Sequence, residues 1–202
     1  MARGDAAAVI TTANELLTLS EEHGFSQPHA FGLAYLGWAV GQTGDASKGV
    51  RCLEEGLAAW NQLGGRSHLC LAICLLAETY FAGARYNEGM EQANSAIALS
   101  SEIGDKWCLP RSHMIRARLL QQTCPNSRAI EESLRTAIEV AQLQGAKGWE
   151  LRAASALARL WRDQGKRDEA RELLAPVYGW FTEGFDTLDL KEAEALLDEL
   201  SS

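Results

Sequence analysis

The sequence predicts an all-α protein, a right-handed α-solenoid of stacked helix pairs with about ten helices and a period of about 40 residues. Three observations predict it. Gly24, Gly64, Gly104 and Gly145 recur at spacings of 40, 40 and 41, each just past a stretch of helical periodicity, where glycine ends a helix in the left-handed conformation without steric cost. Before each glycine the same apolar stripe returns at i, i+4, i+7 and i+8, one face of an amphipathic helix. Alanine and leucine abound while β-branched residues are scarce, which favours helix over strand.

The elements follow in order. Val9, Ala13, Leu16 and Leu17 predict a half-repeat over 5–24. The first full pair, 27–64, carries Leu33, Leu36, Gly37 and Val40, a turn at Gly44-Asp45, then Gly49, Leu53, Gly56 and Leu57. In the second, 66–104, the equivalents are Ile73, Leu76, Ala77 and Tyr80, a turn at Ala84-Arg85, then Gly89, Ala93, Ala96 and Ile97. The third, 107–145, is less regular: Ala117 and Leu120 fit, the register slips by one residue near Cys124-Pro125, and Ile130, Leu134, Ala137 and Ile138 restore it. The fourth, 147–184, has Ala154, Leu157, Ala158 and Trp161, a turn at Gly165-Lys166, then Ala170, Leu174, Val177 and Tyr178, with Gly184 one residue short of the next step. Pro28 and Pro110 fall near helix starts, where a missing N–H does no harm. A C-terminal capping helix over 189–200 places Leu190, Ala193, Leu196, Leu197 and Leu200 on one face. All of these belong to one helical-repeat domain, 1–202.

Leu36-Gly37, Gly44 and Gly49 in the first pair, and Leu157-Ala158, Trp161, Gly165 and Ala170 in the fourth, resemble the tetratricopeptide pattern. That pattern has a 34-residue period, so each helix here is expected to be roughly three residues longer. Small residues stand where paired helices approach closely.

The segment from Glu150, ELRAASALARLWRDQGKRDEARELLAPVYGWFTEGFDTLDLKEAEALLDEL, resembles the C-terminal repeat region of large bacterial regulators. Those join a class III nucleotide-cyclase homology domain to a signalling ATPase module and then to helical repeats. The Gly-Asp-Ala-Ala-Ala stretch at Gly4 and Glu22-His23-Gly24-Phe25 are similar to an upstream part of the same region. The resemblance implies a sensing or docking arm, with the nucleotide chemistry elsewhere. The chain itself has no GxxxxGK[ST] phosphate loop and no room for a cyclase domain.

Composition narrows the function classes. A net charge of −8 argues against a general nucleic-acid binder, which needs clustered positive charge. No apolar run is long enough to span a membrane, and no secretory signal is expected at the N-terminus. Cys52, Cys70, Cys74, Cys108 and Cys124 are odd in number and lack framework spacing, which fits reduced thiols in a cytoplasmic protein. Cys70 and Cys74, with His68 and His113, make no metal motif, and a packed helix accounts for them better. No catalytic constellation, metal or cofactor is expected, and the chain is expected not to be an enzyme.

What remains is binding. In helix-pair solenoids the first helix of each pair lines a concave surface, and the tetratricopeptide analogy places Phe31, Trp38, Glu78, Phe81, Arg111, Arg118, Arg152, Arg159 and Arg162 along it. Between Lys106 and Arg171 there are thirteen Lys and Arg against seven Asp and Glu. The expected groove therefore runs from aromatic to arginine-rich and suits a protein or peptide partner with an acidic segment. Alternatively, those arginines pair with Glu150, Asp163, Asp168 and Glu169 of their own chain. Other functions consistent with the sequence are an effector-sensing repeat that takes a small molecule beside Trp38 and Phe81, and a self-assembly element. A homodimer would form through the exposed face of the N-terminal half-repeat or through the acidic C-terminal helix, though that helix more readily caps its own last repeat.

Overall fold

A computed structural model describes residues 6–64, 66 and 68–201. Gly4 and Asp5, which open the upstream resemblance and the half-repeat, lie outside the described residues. Among the described residues there are ten α-helices and no strand. The fold class is all-α, an α-solenoid of helix pairs. The helices form two compact units, Met1–Cys108 and Leu109–Ser202.

The first unit holds α1 (Ala6–His23), α2 (Ser26–Gln42), α3 (Ala46–Gln62), α4 (Leu69–Ala82) and α5 (Tyr86–Ile103). The second holds α6 (Leu109–Thr123), α7 (Arg128–Leu143), α8 (Lys147–Asp163), α9 (Arg167–Tyr178) and α10 (Leu188–Ser201). Gly24, Gly64, Gly104 and Gly145 have φ of 68°, 68°, 73° and 64°, the left-handed conformation that their spacing implied.

The turn inside a pair has a repeated chemistry. Asp45 N–H donates to Val40 C=O, Arg85 N–H to Tyr80 C=O and Lys166 N–H to Trp161 C=O, so three turns close with the same six-residue loop. Each of those turns is three residues long, whereas α6 and α7 are joined by four, Cys124 to Ser127. That extra residue is the physical origin of the register slip. Ser127 then caps α7, its hydroxyl accepting from Ala129 N–H at 3.2 Å.

In the first pair, glycine is required by contact. A Cβ on Gly37 would lie 2.6 Å from the Gly49 carbonyl oxygen, and one on Gly49 would lie 2.5 Å from that of Gly37. The backbones of α2 and α3 therefore touch directly. Around this contact the first unit buries Trp38, Val50, Leu53, Leu75, Leu76 and Tyr80. The second unit buries its own cluster, with Leu134, Leu151, Leu157, Leu174 and Leu196 among its members. Burying each such leucine contributes roughly 1.5–3 kcal/mol.

The last pair departs from the expected length. Pro176 lies inside α9, lacks the N–H that would continue the ladder, and the helix ends two residues later at Tyr178. Gly184 keeps a positive φ of 78°, but it lies in the non-helical 179–187 stretch and caps no helix. Beyond it, α10 packs against α9 and α8, burying Leu190, Ala193, Leu196 and Leu200.

Candidate functional site

In the first unit, α2 and α4 place the aromatic part of the predicted site. Trp38 is only 3% exposed, and its indole Nε1–H donates to Glu78 Oε2 at 2.7 Å. The structure thus brings Trp38 and Glu78 together, but as a bond between neighbouring helices: the indole that was expected to face a partner is core. Phe31 turns towards a different group. Its ring meets Trp60 edge-on at 4.5 Å and His68 at 5.3 Å, and His68 in turn meets Trp107 at 5.7 Å. This cluster borders a narrow cleft lined mainly by apolar side chains of α2, α3 and α4. Trp60 Nε1, buried beside it, has no hydrogen-bond partner. Phe81 packs at 5.6 Å on Tyr86 of α5.

In the second unit the arginines lie on α6 and α8. Arg118 is exposed on α6. Arg111 and Arg152 lie over the Trp149 ring, with guanidinium carbons 6.0 and 5.0 Å from its centroid, favourable contacts with the ring's negative face. The α8 arginines are engaged by the C-terminal helix. Arg152 donates to Asp189 at 2.6 Å, Arg159 to Glu192 at 2.8 Å and Arg162 to Glu199 at 2.8 Å. Arg162 also meets Asp163 at 2.9 Å.

This corrects the expected pairing. Of Glu150, Asp163, Asp168 and Glu169, Asp163 is the one that forms an ion pair with these three arginines among the described residues; the other partners come from α10. Glu150 is 3% exposed and serves another purpose, accepting from Lys147 Nζ at 2.7 Å and Gln142 Nε2 at 2.9 Å, which ties the end of α7 to the start of α8. The basic excess over 106–171 is also compensated close by: residues 109–202 hold thirteen Lys and Arg against fifteen Asp and Glu.

Sequence reasoning missed the contact of Trp149 with two guanidiniums and the pairing of α8 with α10. The signal for the second was present. The arginines at 152, 159 and 162 and the carboxylates at 189, 192 and 199 are each spread over ten residue steps of one helix.

Two buried titratable groups are shifted towards their neutral forms. Burial, with Asp105 adding to it, raises the Cys70 thiol above its ordinary value, the opposite of a reactive thiolate. Burial, with Arg116 adding, lowers His113 to about 4. Among the described residues no group of three His, Cys, Asp or Glu is placed to hold a metal ion, and no helix is long and apolar enough to cross a membrane.

With this geometry in place, known proteins supply a comparison. No family model matches the chain. BtubC (BKLC) from P. vanneervenii superposes with a TM-score of 0.69 over 98% of this chain and 88% of that one, at 18% identity. This is the TPR-like repeat fold. The nearly identical TPR-like repeats of a Podosopora anserina kinesin light chain give a TM-score of 0.60 over 87% of this chain and 86% of that one, again at 18% identity. An uncharacterized protein of Rhizobium meliloti (strain 1021) is 24% identical over 158 residues, which is 78% of this chain. The chain spans only 15% of that relative's length. At 18% identity these likenesses establish the fold of the chain, and the α6 and α8 arginines lie on that fold.

Proposed function

We propose that the chain is a non-catalytic protein-interaction scaffold, the binding arm of a bacterial signalling protein, acting in the cytoplasm on a protein or peptide partner with an acidic segment. The observation that carries this is the arginine-bearing surface of α6 and α8 on a TPR-like frame. Arg111, Arg118, Arg152, Arg159 and Arg162 lie on the first helices of two consecutive pairs, the helices that line the binding surface in helix-pair solenoids. Guanidinium forks bind carboxylates through paired hydrogen bonds. The resemblance of the segment from Glu150 to the repeat region of multidomain bacterial regulators supports a signalling context.

The test is capture from bacterial lysate with the full chain and with an Arg111→Glu/Arg118→Glu variant, which leaves the α8–α10 ion pairs intact. A partner identified by mass spectrometry should be at least tenfold depleted on the variant. Equal capture by both would remove the α6 arginines from the binding surface.

A second reading, a small effector bound in the first unit, rests on the buried Trp60 Nε1–H, which has no hydrogen-bond partner beside a narrow apolar cleft. Thermal stabilisation by a member of a metabolite panel, lost in Trp60→Phe, would favour that reading.

A further inference from the structure

The C-terminal helix is bound as a ligand would be. Its carboxylates at 189, 192 and 199 meet α8 arginines at 152, 159 and 162 in the same order along both helices, over about 15 Å at 1.5 Å per residue. Arg167 adds a hydrogen bond to the Glu199 carbonyl. Leu190, Ala193, Leu196 and Leu200 follow the three- and four-residue steps by which an amphipathic helix seats in a groove.

Its attachment is carried by this buried apolar face, and its polar contacts are light. The three ion pairs remain partly exposed, with arginine side chains 27–39% accessible, and pairs of that kind hold weakly. The supporting α9 has 12 residues, against 16 to 18 in α3, α5 and α7. The 179–187 connection leaves Trp180 57% and Phe185 44% exposed, so it is not itself anchored by burial of these rings.

We propose that α10 is an internal ligand, and that the α8 face it covers is the docking surface for an acidic amphipathic helix of a separate partner protein with the same pattern. That pattern is three carboxylates spaced like Asp189, Glu192 and Glu199 beside apolar residues spaced like Leu190, Ala193, Leu196 and Leu200. Charge complementarity selects this occupant, because α10 already meets the α8 arginines with it. The inference rests on the scaffold reading and names its partner. Tethering gives α10 a high effective concentration, so the face stays closed until α10 is released or outcompeted.

The probe is a fluorescein-labelled peptide of residues 186–201, titrated by anisotropy against the full chain. In Leu196→Glu, which detaches α10, the peptide should bind at least tenfold more tightly than to the parent. Adding Arg159→Glu should weaken that binding at least fivefold. If circular dichroism shows that Leu196→Glu loses helix elsewhere, the surface pair Glu192→Arg/Glu199→Arg decides, with at least a threefold gain expected. Equal affinity for parent and released variant would overturn the proposal. So would a stable dimer of the parent by light scattering that exchanges α10 between copies. Because the lysate test alters α6 and this one alters α8 and α10, either idea can fail alone.

Discussion

Gly37 and Gly49 show how one atom decides packing. A methyl at either position would stand within 2.6 Å of the opposing carbonyl oxygen, and backbone cannot swing aside as a flexible side chain can. Gly49→Ala should therefore destabilise the first unit by about 1–3 kcal/mol, the usual cost of overpacking, seen as a lower midpoint in thermal or urea unfolding. Gly148, where a Cβ would meet nothing within 4 Å, is the control: Gly148→Ala should not lower it. A second residue links packing to pH. Burial holds His113 at about 4 against an ordinary 6.5, and its Nδ1 has no partner. Between those values the unfolded chain takes up a proton that the folded chain does not, so stability falls as pH drops from 6.5 towards 4. Below about 4 this contribution is fully spent. His113→Gln should flatten the loss of melting temperature across that window.

At the scale of the element, the turns and caps carry the repeat. Asp45 accepts Lys48 N–H at 2.9 Å and so satisfies one of the free donors at the start of α3. Asp45→Ala should cost about 1 kcal/mol, measured as a shift in urea midpoint at unchanged m-value. Arg85 and Lys166 stand at the equivalent positions before α5 and α9 without a side-chain cap, so Arg85→Ala should cost less than Asp45→Ala. These elements were legible in the sequence because each has a local cause: a turn glycine, a stripe, a proline near a start. The shortening of α9 was less legible. Pro176 was visible, but the glycine at the next 40-residue step masked its effect, since Gly184 adopts the capping conformation without a helix to cap.

At the scale of the whole molecule, the fold class was legible and the candidate site only partly so. Helix periodicity and glycine spacing are written along one stretch of sequence, whereas Trp38 to Glu78 and Arg152 to Asp189 are bonds across forty and thirty-seven positions. Position along a helix placed the arginines on the right elements. It did not show that three of them were occupied, because a local count of charge over 106–171 omits the acidic residues that follow. The same limit applies to Trp38, whose place beside the apolar stripe read as surface until α4 was packed over it. The capture and peptide experiments address two neighbouring helices of the second unit, α6 and α8.

The contact of α2 with α3 also has a spectroscopic consequence. At Gly37 and Gly49 the hydrogen that replaces the absent methyl lies on the side of a carbonyl oxygen of the other helix. The two geminal protons of each glycine therefore sit in unlike magnetic surroundings, one on the side of that oxygen and one not. Their chemical-shift separation gives a label-free gauge of whether these helices stay in touch while other parts of the chain are bound, released or unfolded.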